Sequence, residues 1–593
     1  MPRRRRFTPS SQQIAQLINV AQGREKADLA IVNARLVDVY TGELLPDYSV
    51  AIKGERIAYV GTNPSPTIGP DTQVIDASGK TLIPGLIDGH THLMYFFTPY
   101  EFMKQVMAGG TTSIITESPE LAFIWGYRGT LSYLAALRNQ PMKIFITAPP
   151  MVTLSPLAEA HAFGPREIGA LLRQEGVVGL GECYWLPAVQ GDPRLVDIFA
   201  EAQRSGKVME GHAAGARDDR LVAYVASGFS ADHEPISEAE IRERLRLGMH
   251  VMVRQGSIRK DLGAISQLVR EGVDLRRVGL GTDGIDPKDL LQDGYMESIV
   301  QQGIEMGIAP ISAVQMATLN IAEHFGLDHL IGGISPGKWA DMVIIPSPET
   351  IKAQWVISNG QVTAREGKIL IPPRKHTFPR WSLNMLRFPR RFTAEDFALR
   401  VGAGEGQVKA RVMDWVTDLV TQEAQLDMKV QGGELRADTD RDILKAAVIE
   451  RVHRPGTMAL GLVRGYKMKK GAFATSAAWD TGAITVVGVE GEDMAQAANR
   501  VVELQGGAVV WADGGVLAEL PMPLGGFLTL ASVEEIARQQ DELYRVVGSL
   551  GVPFPDPHLS LTTLSCCAIP FFRMNEEGYA DVRNHQPLPL LVD

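Results

Sequence analysis

The sequence predicts an α/β protein: a TIM (β/α)8 barrel, a small β-sandwich made from both flanks of that barrel, and an additional C-terminal α/β domain. Three observations carry this. Between about residues 81 and 333, eight short apolar runs, each ending in polar residues, alternate with helical patterns, which is the number of strand endings such a barrel requires. Short strand patterns with turns lie on both sides of that region, in "ADLAIVNARLVDVYTGELLPDYSVAIKGERIAYVG" and again in "GKWADMVIIPSPETIKAQWVISNGQVTAREGKIL". At 593 residues the chain is too long for a single hydrophobic core.

In chain order, residues 1–27 read as an N-terminal tail and helix. Residues 28–80 form the first part of the sandwich, 81–333 the barrel, 334–375 the second part of the sandwich, and 376–593 the C-terminal domain. Arg3 to Arg6 are followed by polar rather than apolar residues, so the run reads as a solvated tail and not as a secretory signal. A Pro/Arg-rich connection precedes the last domain, where strand and helix patterns alternate and Asp493–Leu504 has the spacing of an amphipathic helix.

Composition narrows the function classes. The formal net charge of −10 offers no basic field to steer the molecule onto nucleic acid. No stretch approaches the ~20 apolar residues that span a bilayer. The three cysteines, Cys183 and the neighbours Cys566 and Cys567, make no disulfide framework and fit a reducing compartment. We therefore expect a cytoplasmic protein acting on a small molecule, with no nucleic-acid or membrane partner, as a homo-oligomer.

The chemistry is concentrated at the predicted strand ends. In "PGLIDGHTHL", His90 and His92 are two apart, and residues i and i+2 of a strand face the same side, so both imidazoles can reach one cation. Taken alone, an HxH pair is more often a packed or surface feature than a metal site. Further candidates follow at separate strand ends: Glu182 in "GLGEC", His212 in "EGHAAG", His233 in "ADHE" and Asp283 in "GLGTDG". Four histidines and two carboxylates suffice for two divalent ions bridged by Glu182. Imidazole and carboxylate suit Zn, Mn or Fe, and the lack of cysteine ligands argues against a structural zinc cage. A bound cation lowers the pKa of its water from 15.7 to about 7. Asp283 is then the expected acid/base group, taking the water's proton and passing it to the leaving nitrogen.

The order HxH, Glu, His, His, Asp resembles the binuclear amidohydrolases with a bridging glutamate. The text of "GLGEC", "DGYMESIVQQGIEMGIAPISAVQMATLNIAEHFGL", "ISPGKWADMVII" and "GLVRGYKMKKGAFAT" is similar to the adenine deaminase family, from about residue 20 to the end. The resemblance implies a metal-dependent hydrolase that converts an aminopurine and water to an oxopurine and ammonia, with catalytic Asp283 and Glu182. Several positions facing substrate in that family differ here. Leu93 to Phe96 replace Ile-Glu-Ser-Ser, Glu117 to Glu120 stand for Asp-Pro-His-Glu, Gly284 for the second Asp of Thr-Asp-Asp, and Trp479 to Ala483 for His-Asp-Ser-His-Asn. We take Tyr95, Phe96, Glu117, Glu120, Arg254 and Trp479 as candidate substrate contacts; Tyr95 and Phe96 equally suit core packing, and Arg254 equally suits a structural pair. Loss of matched hydrogen-bonding groups predicts that adenine is a poor substrate beside a substituted purine or another cyclic amide. Ring-opening hydrolysis of a cyclic amide, which releases no ammonia, and a non-catalytic scaffold are the competing readings. Cys183 is expected to be an inert buried thiol.

Overall fold

The computed structural model describes residues 7–592 apart from 94, 95, 403, 570 and 585. Its centre is a barrel of eight parallel strands: β1 (Leu86–Thr91), β2 (Thr111–Thr116), β3 (Lys143–Ala148), β4 (Val177–Tyr184), β5 (Val208–His212), β6 (Ala231–Asp232), β7 (His250–Arg254) and β8 (Val278–Gly281). Hydrogen-bonded ladders join β1 to β5 in one arc and β6 to β8 in another. The arcs meet through single contacts beyond the ladders. Ser230 N–H donates to Met209 O at 3.1 Å, and Asp283 N–H donates to His90 O at 2.9 Å. That second seam needs glycine at 281, because a Cβ there would lie 2.9 Å from His90 O.

β1 and β2 are buried throughout, which is why barrel strands read as continuous apolar runs rather than alternating ones. Where a polar residue falls inside, it is paired. Asp88 accepts from the His90 and Thr282 N–H groups at 3.1 and 3.2 Å, from Thr282 Oγ1 at 2.8 Å and from the Tyr295 hydroxyl. The aspartate of "IDGHTH" thus braces β1 against the end of β8.

Both flanks enter one nine-stranded sheet, in which Met342–Ile345 from beyond the barrel pairs antiparallel with Thr81–Pro84 from before it. This corrects one boundary. Thr81–Pro84, expected to open the barrel, belongs to the flanking sheet, and the chain crosses into the barrel at Gly85, where a Cβ would sit 2.2 Å from Thr112 Oγ1.

The C-terminal domain is built on a ten-stranded sheet with helices packed on it, and a three-stranded antiparallel sheet over 572–588 follows. The expected amphipathic helix spans Gly491–Glu503 between Ile484–Gly488 and Gly507–Ala512, and buries Met494, Ala495, Ala497, Ala498 and Val501. Two connections of this domain, the loop from Thr475 to Ile484 and the segment after Ser565, reach the C-terminal mouth of the barrel. Among the described residues, no helix is long and apolar enough to cross a membrane.

His558 lies where the domain meets the first barrel loop. It is buried, stacks on Phe96 at 5.4 Å and pairs with Thr475 Oγ1 at 2.8 Å. Burial pushes its pKa down to about 3. The unfolded imidazole, with a pKa of ~6.5, binds a proton that the folded one refuses, so this contribution is complete above pH ~6.5 and is lost as pH falls towards 3. His558→Gln is expected to lower stability at pH 7 and to flatten the decline of Tm between pH 7 and pH 4. An acid slope identical to the parent's would show that His558 does not carry it.

Candidate metal centre

Each candidate ligand stands at the C-terminal end of a barrel strand, so strand geometry alone aims the side chains at one point above the barrel axis. Glu182 is central. Its Oε1 lies 3.4 Å from His92 Nε2, and its Oε2 lies 3.2 Å from His212 Nδ1 and 3.3 Å from His233 Nε2. Asp283 Oδ1 is 3.4 Å from His90 Nε2 and 3.6 Å from His92 Nε2. Asp283 holds this position in the left-handed region, at φ 57°, a backbone conformation that Asp tolerates better than most residues.

The donor set fits divalent cations. His90 Nε2 and His233 Nε2 are buried and meet no hydrogen-bond partner among the described residues, a costly state for an imidazole nitrogen unless a cation takes the lone pair. Ligand atoms of His90, Glu182 and His233, of His90, His92 and Asp283, and of His212, His233 and Glu234 lie within 4.8 Å of one another in each group. The electrostatics agree. Burial pushes the Glu182 carboxyl up, but His92, His212 and His233 outweigh it and hold the group well below the usual carboxylate range. Burial likewise opposes Asp283, yet His90, His233 and Arg254 hold it at about 2. Burial disfavours charge on His92 too, while Glu120 and Glu182 raise its pKa well above the ordinary imidazole value. The carboxylates therefore stay ionised and call for positive charge between them.

The expected substrate contacts divide. Arg254 and Trp479 line a cavity of about 270 Å³ over the centre, together with His92, Glu182, His212 and Asp283. Trp479, from the C-terminal domain, stacks nearly parallel to the His92 ring at 5.9 Å. Arg254 donates from Nη1 to Glu234 and, at 3.2 Å, to Asp283 Oδ2, and from Nε to Asp261 at 3.0 Å. Its Nη2 is buried without a partner among the described residues.

Three contacts expected from the sequence are placed elsewhere. Glu117 sits behind the ligands rather than over them; it accepts from Thr147 Oγ1 and the Glu182 N–H, and burial next to Glu182 raises its pKa to about 7. Glu120 turns Oε1 onto His92 Nδ1 at 2.9 Å, which fixes the ring with Nε2 towards the centre. Phe96 is packed on His558 away from the cavity, in a backbone at φ 76°. Tyr95 lies outside the described residues. Cys183 is fully buried, with its thiol pKa pushed up by burial.

Sequence reasoning missed Glu234, although it adjoins His233 in "ADHE": its Oε1 lies 3.3 Å from His233 Nε2 and 3.7 Å from His212 Nδ1. It also missed a clasp between domains, in which the Tyr184 hydroxyl donates to Asp480 Oδ1 at 2.9 Å while Asp480 Oδ2 takes the Cys567 N–H at 3.0 Å. The clasp seats the Trp479 loop over the candidate ligands; Asp480 lies in the segment singled out from the sequence, but nothing there pairs it with Tyr184.

A barrel with histidine and carboxylate ligands at its strand ends, carried on a sheet from both flanks, defines a metal-dependent amidohydrolase. The model of the amidohydrolase family matches residues 81–370, and that of the adenine deaminase C-terminal domain matches 418–586. Over the full length of both chains the protein is 35% identical to "Adenine deaminase" of Moorella thermoacetica. It is 32% identical to the protein of that name from Clostridium botulinum and 33% to that from Ruegeria pomeroyi, each over 97% of either chain. The chain belongs to the adenine deaminase family.

Because Glu120 fixes the tautomer and orientation of His92, Glu120→Ala should weaken divalent-metal affinity about 10–100-fold with the fold intact. Competition with a chromogenic chelator measures it, and an unchanged affinity would separate Glu120 from metal binding.

Proposed function

We propose that the protein holds two divalent transition-metal ions and catalyses the hydrolytic deamination of a 6-aminopurine. The observation that carries this is the Glu182 carboxylate, set in the middle of four imidazoles: Oε1 faces His92, Oε2 faces His212, His233 and, at 4.0 Å, His90, and Asp283 Oδ1 closes the His90 and His92 side. His90, His92, Glu182 and Asp283 are the residues suited to one ion, and Glu182, His212 and His233 to the other, with Glu234 beside it. Bound there, the ions would supply Lewis-acid activation of water at neutral pH.

The rest falls to the side chains. Asp283 is held ionised and is fixed through Oδ2 by Arg254, which leaves Oδ1 to accept the water's proton and return it to the departing ammonia. Trp479 offers a flat face to a planar ring. The unpartnered Arg254 Nη2 can donate to a ring nitrogen or an exocyclic oxygen, which orients the amino-bearing carbon. The C-terminal wall of Leu419, Val420, Ala568 and Ile569 limits water in the cavity. The family of the chain and the relatives named adenine deaminase support deamination over ring opening.

With metal loaded, ammonia release from 6-aminopurines and close to two ions per chain by elemental analysis are expected. Asp283→Asn should keep the fold and cut kcat by ~10²–10⁴-fold. Near-normal turnover in that variant would place the proton transfer elsewhere, and metal-loaded protein that releases no ammonia from any aminopurine would overturn the reading.

A further inference from the structure

A second chamber of about 740 Å³ adjoins the cavity over the metal centre. The two share Tyr184, His212, Ala214, Gly215 and Ala568 as walls, so they lie side by side at His212. Ligand sites commonly run from roughly 300 to 1,000 Å³. The inner cavity, at about 270 Å³, already suits one small ring system. An unsubstituted nucleobase leaves the outer chamber unused.

The charge in the two chambers differs. Glu182, Glu234, Glu240 and Asp283 line the inner one together with Arg244, Arg254 and Arg259, of which Arg244 and Arg254 are already paired with carboxylates. Not one Asp or Glu is among the residues lining the outer one, although the chain as a whole carries a formal charge of −10. Its two guanidinium groups have no carboxylate beside them in the lining. Arg220 lies over the Trp185 ring at 5.9 Å, and Arg583, from the C-terminal domain, lies over Phe571 at 4.2 Å. Neither forms an ion pair with another described residue. Both side chains are exposed, each set against an aromatic face, an arrangement in which arginine can take a carboxylate or phosphate.

We infer that the outer chamber is a subsite for an anionic substituent, and that the preferred substrate is a 6-aminopurine carrying a carboxylate- or phosphate-bearing extension. The inference rests on the deaminase reading above for the ring and adds the class of its substituent. The ring occupies the inner cavity against Trp479, and the extension passes His212 to reach Arg220 and Arg583. This gives physical content to the expectation that adenine is the weaker substrate: adenine leaves both guanidinium groups without an anion.

The test is a four-member panel: adenine, adenosine, adenosine 5′-monophosphate, and adenine alkylated on N9 with a carboxylate-terminated chain. Adenosine controls for bulk without charge, and the last two separate phosphate from carboxylate. With metal loaded, at least one anionic member should exceed both neutral members in kcat/KM by about 10–100-fold, the scale of a hydrogen bond between charged groups. Arg220→Ala and Arg583→Ala should each reduce the anionic-to-neutral ratio, and the corresponding Lys variants should restore part of it. Calorimetric binding to the Asp283→Asn protein reads the same preference without turnover. Ammonia from no member would sink the deaminase reading alone, since binding still reports on the chamber. Adenine or adenosine equalling both anionic members, or a ratio unchanged in both Ala variants, would overturn the subsite.

Discussion

Ionised carboxylates can be buried only where positive charge meets them. Glu182 and Asp283 are buried at the mouth of the barrel, and four imidazoles and one guanidinium are what keep them charged. Much of the surrounding architecture serves that condition. Asp88 braces the strand bearing His90 and His92 to the strand that delivers Asp283. Glu120 and Glu117 lie behind the ligands, and Arg254 ties Asp283 to Glu234. A second row of charges stabilises the first, as metal sites generally require.

The C-terminal domain takes part in the same arrangement. It places Trp479 nearly parallel to the His92 imidazole, clasps the strand that carries Glu182 through Asp480 and Tyr184, and sends Arg583 to the rim of the outer chamber. A barrel opened to solvent on this side would leave its carboxylates in a higher dielectric, where the field that holds Asp283 ionised and oriented is weaker. The domain is thus a wall of the active site as well as an appendage to it.

The barrel and the six ligand candidates were legible because both follow from short-range rules: strand parity puts His90 and His92 on one face, and a barrel collects its strand ends. What was not legible depends on side-chain direction across long separations. Glu117 and Glu120 stand in the right segment, but whether a carboxylate turns to substrate or to a ligand ring is settled by Thr147 and His92, which lie on other strands. Phe96 is drawn into the core by His558, more than 400 residues away. Glu234 was hidden by its neighbour, since His233 accounted for the motif without it. The misplaced barrel boundary has the same origin, because Thr81–Pro84 has the composition of either sheet and only its distant partner strand decides.

That partner strand also bears on how the chain comes together. Val343 pairs with Ile83 across about 260 residues of intervening sequence. At synthesis rates of ~5–20 residues per second, the strand of residues 81–84 waits on the order of 10–50 s before its neighbour leaves the ribosome. During that interval the first half of the sheet presents an unpaired, apolar edge, the kind of surface on which chains aggregate. Nascent protein is therefore most vulnerable while the barrel is being made, and conditions that slow elongation between residues 85 and 345 should cost more soluble product than the same delay in the C-terminal domain.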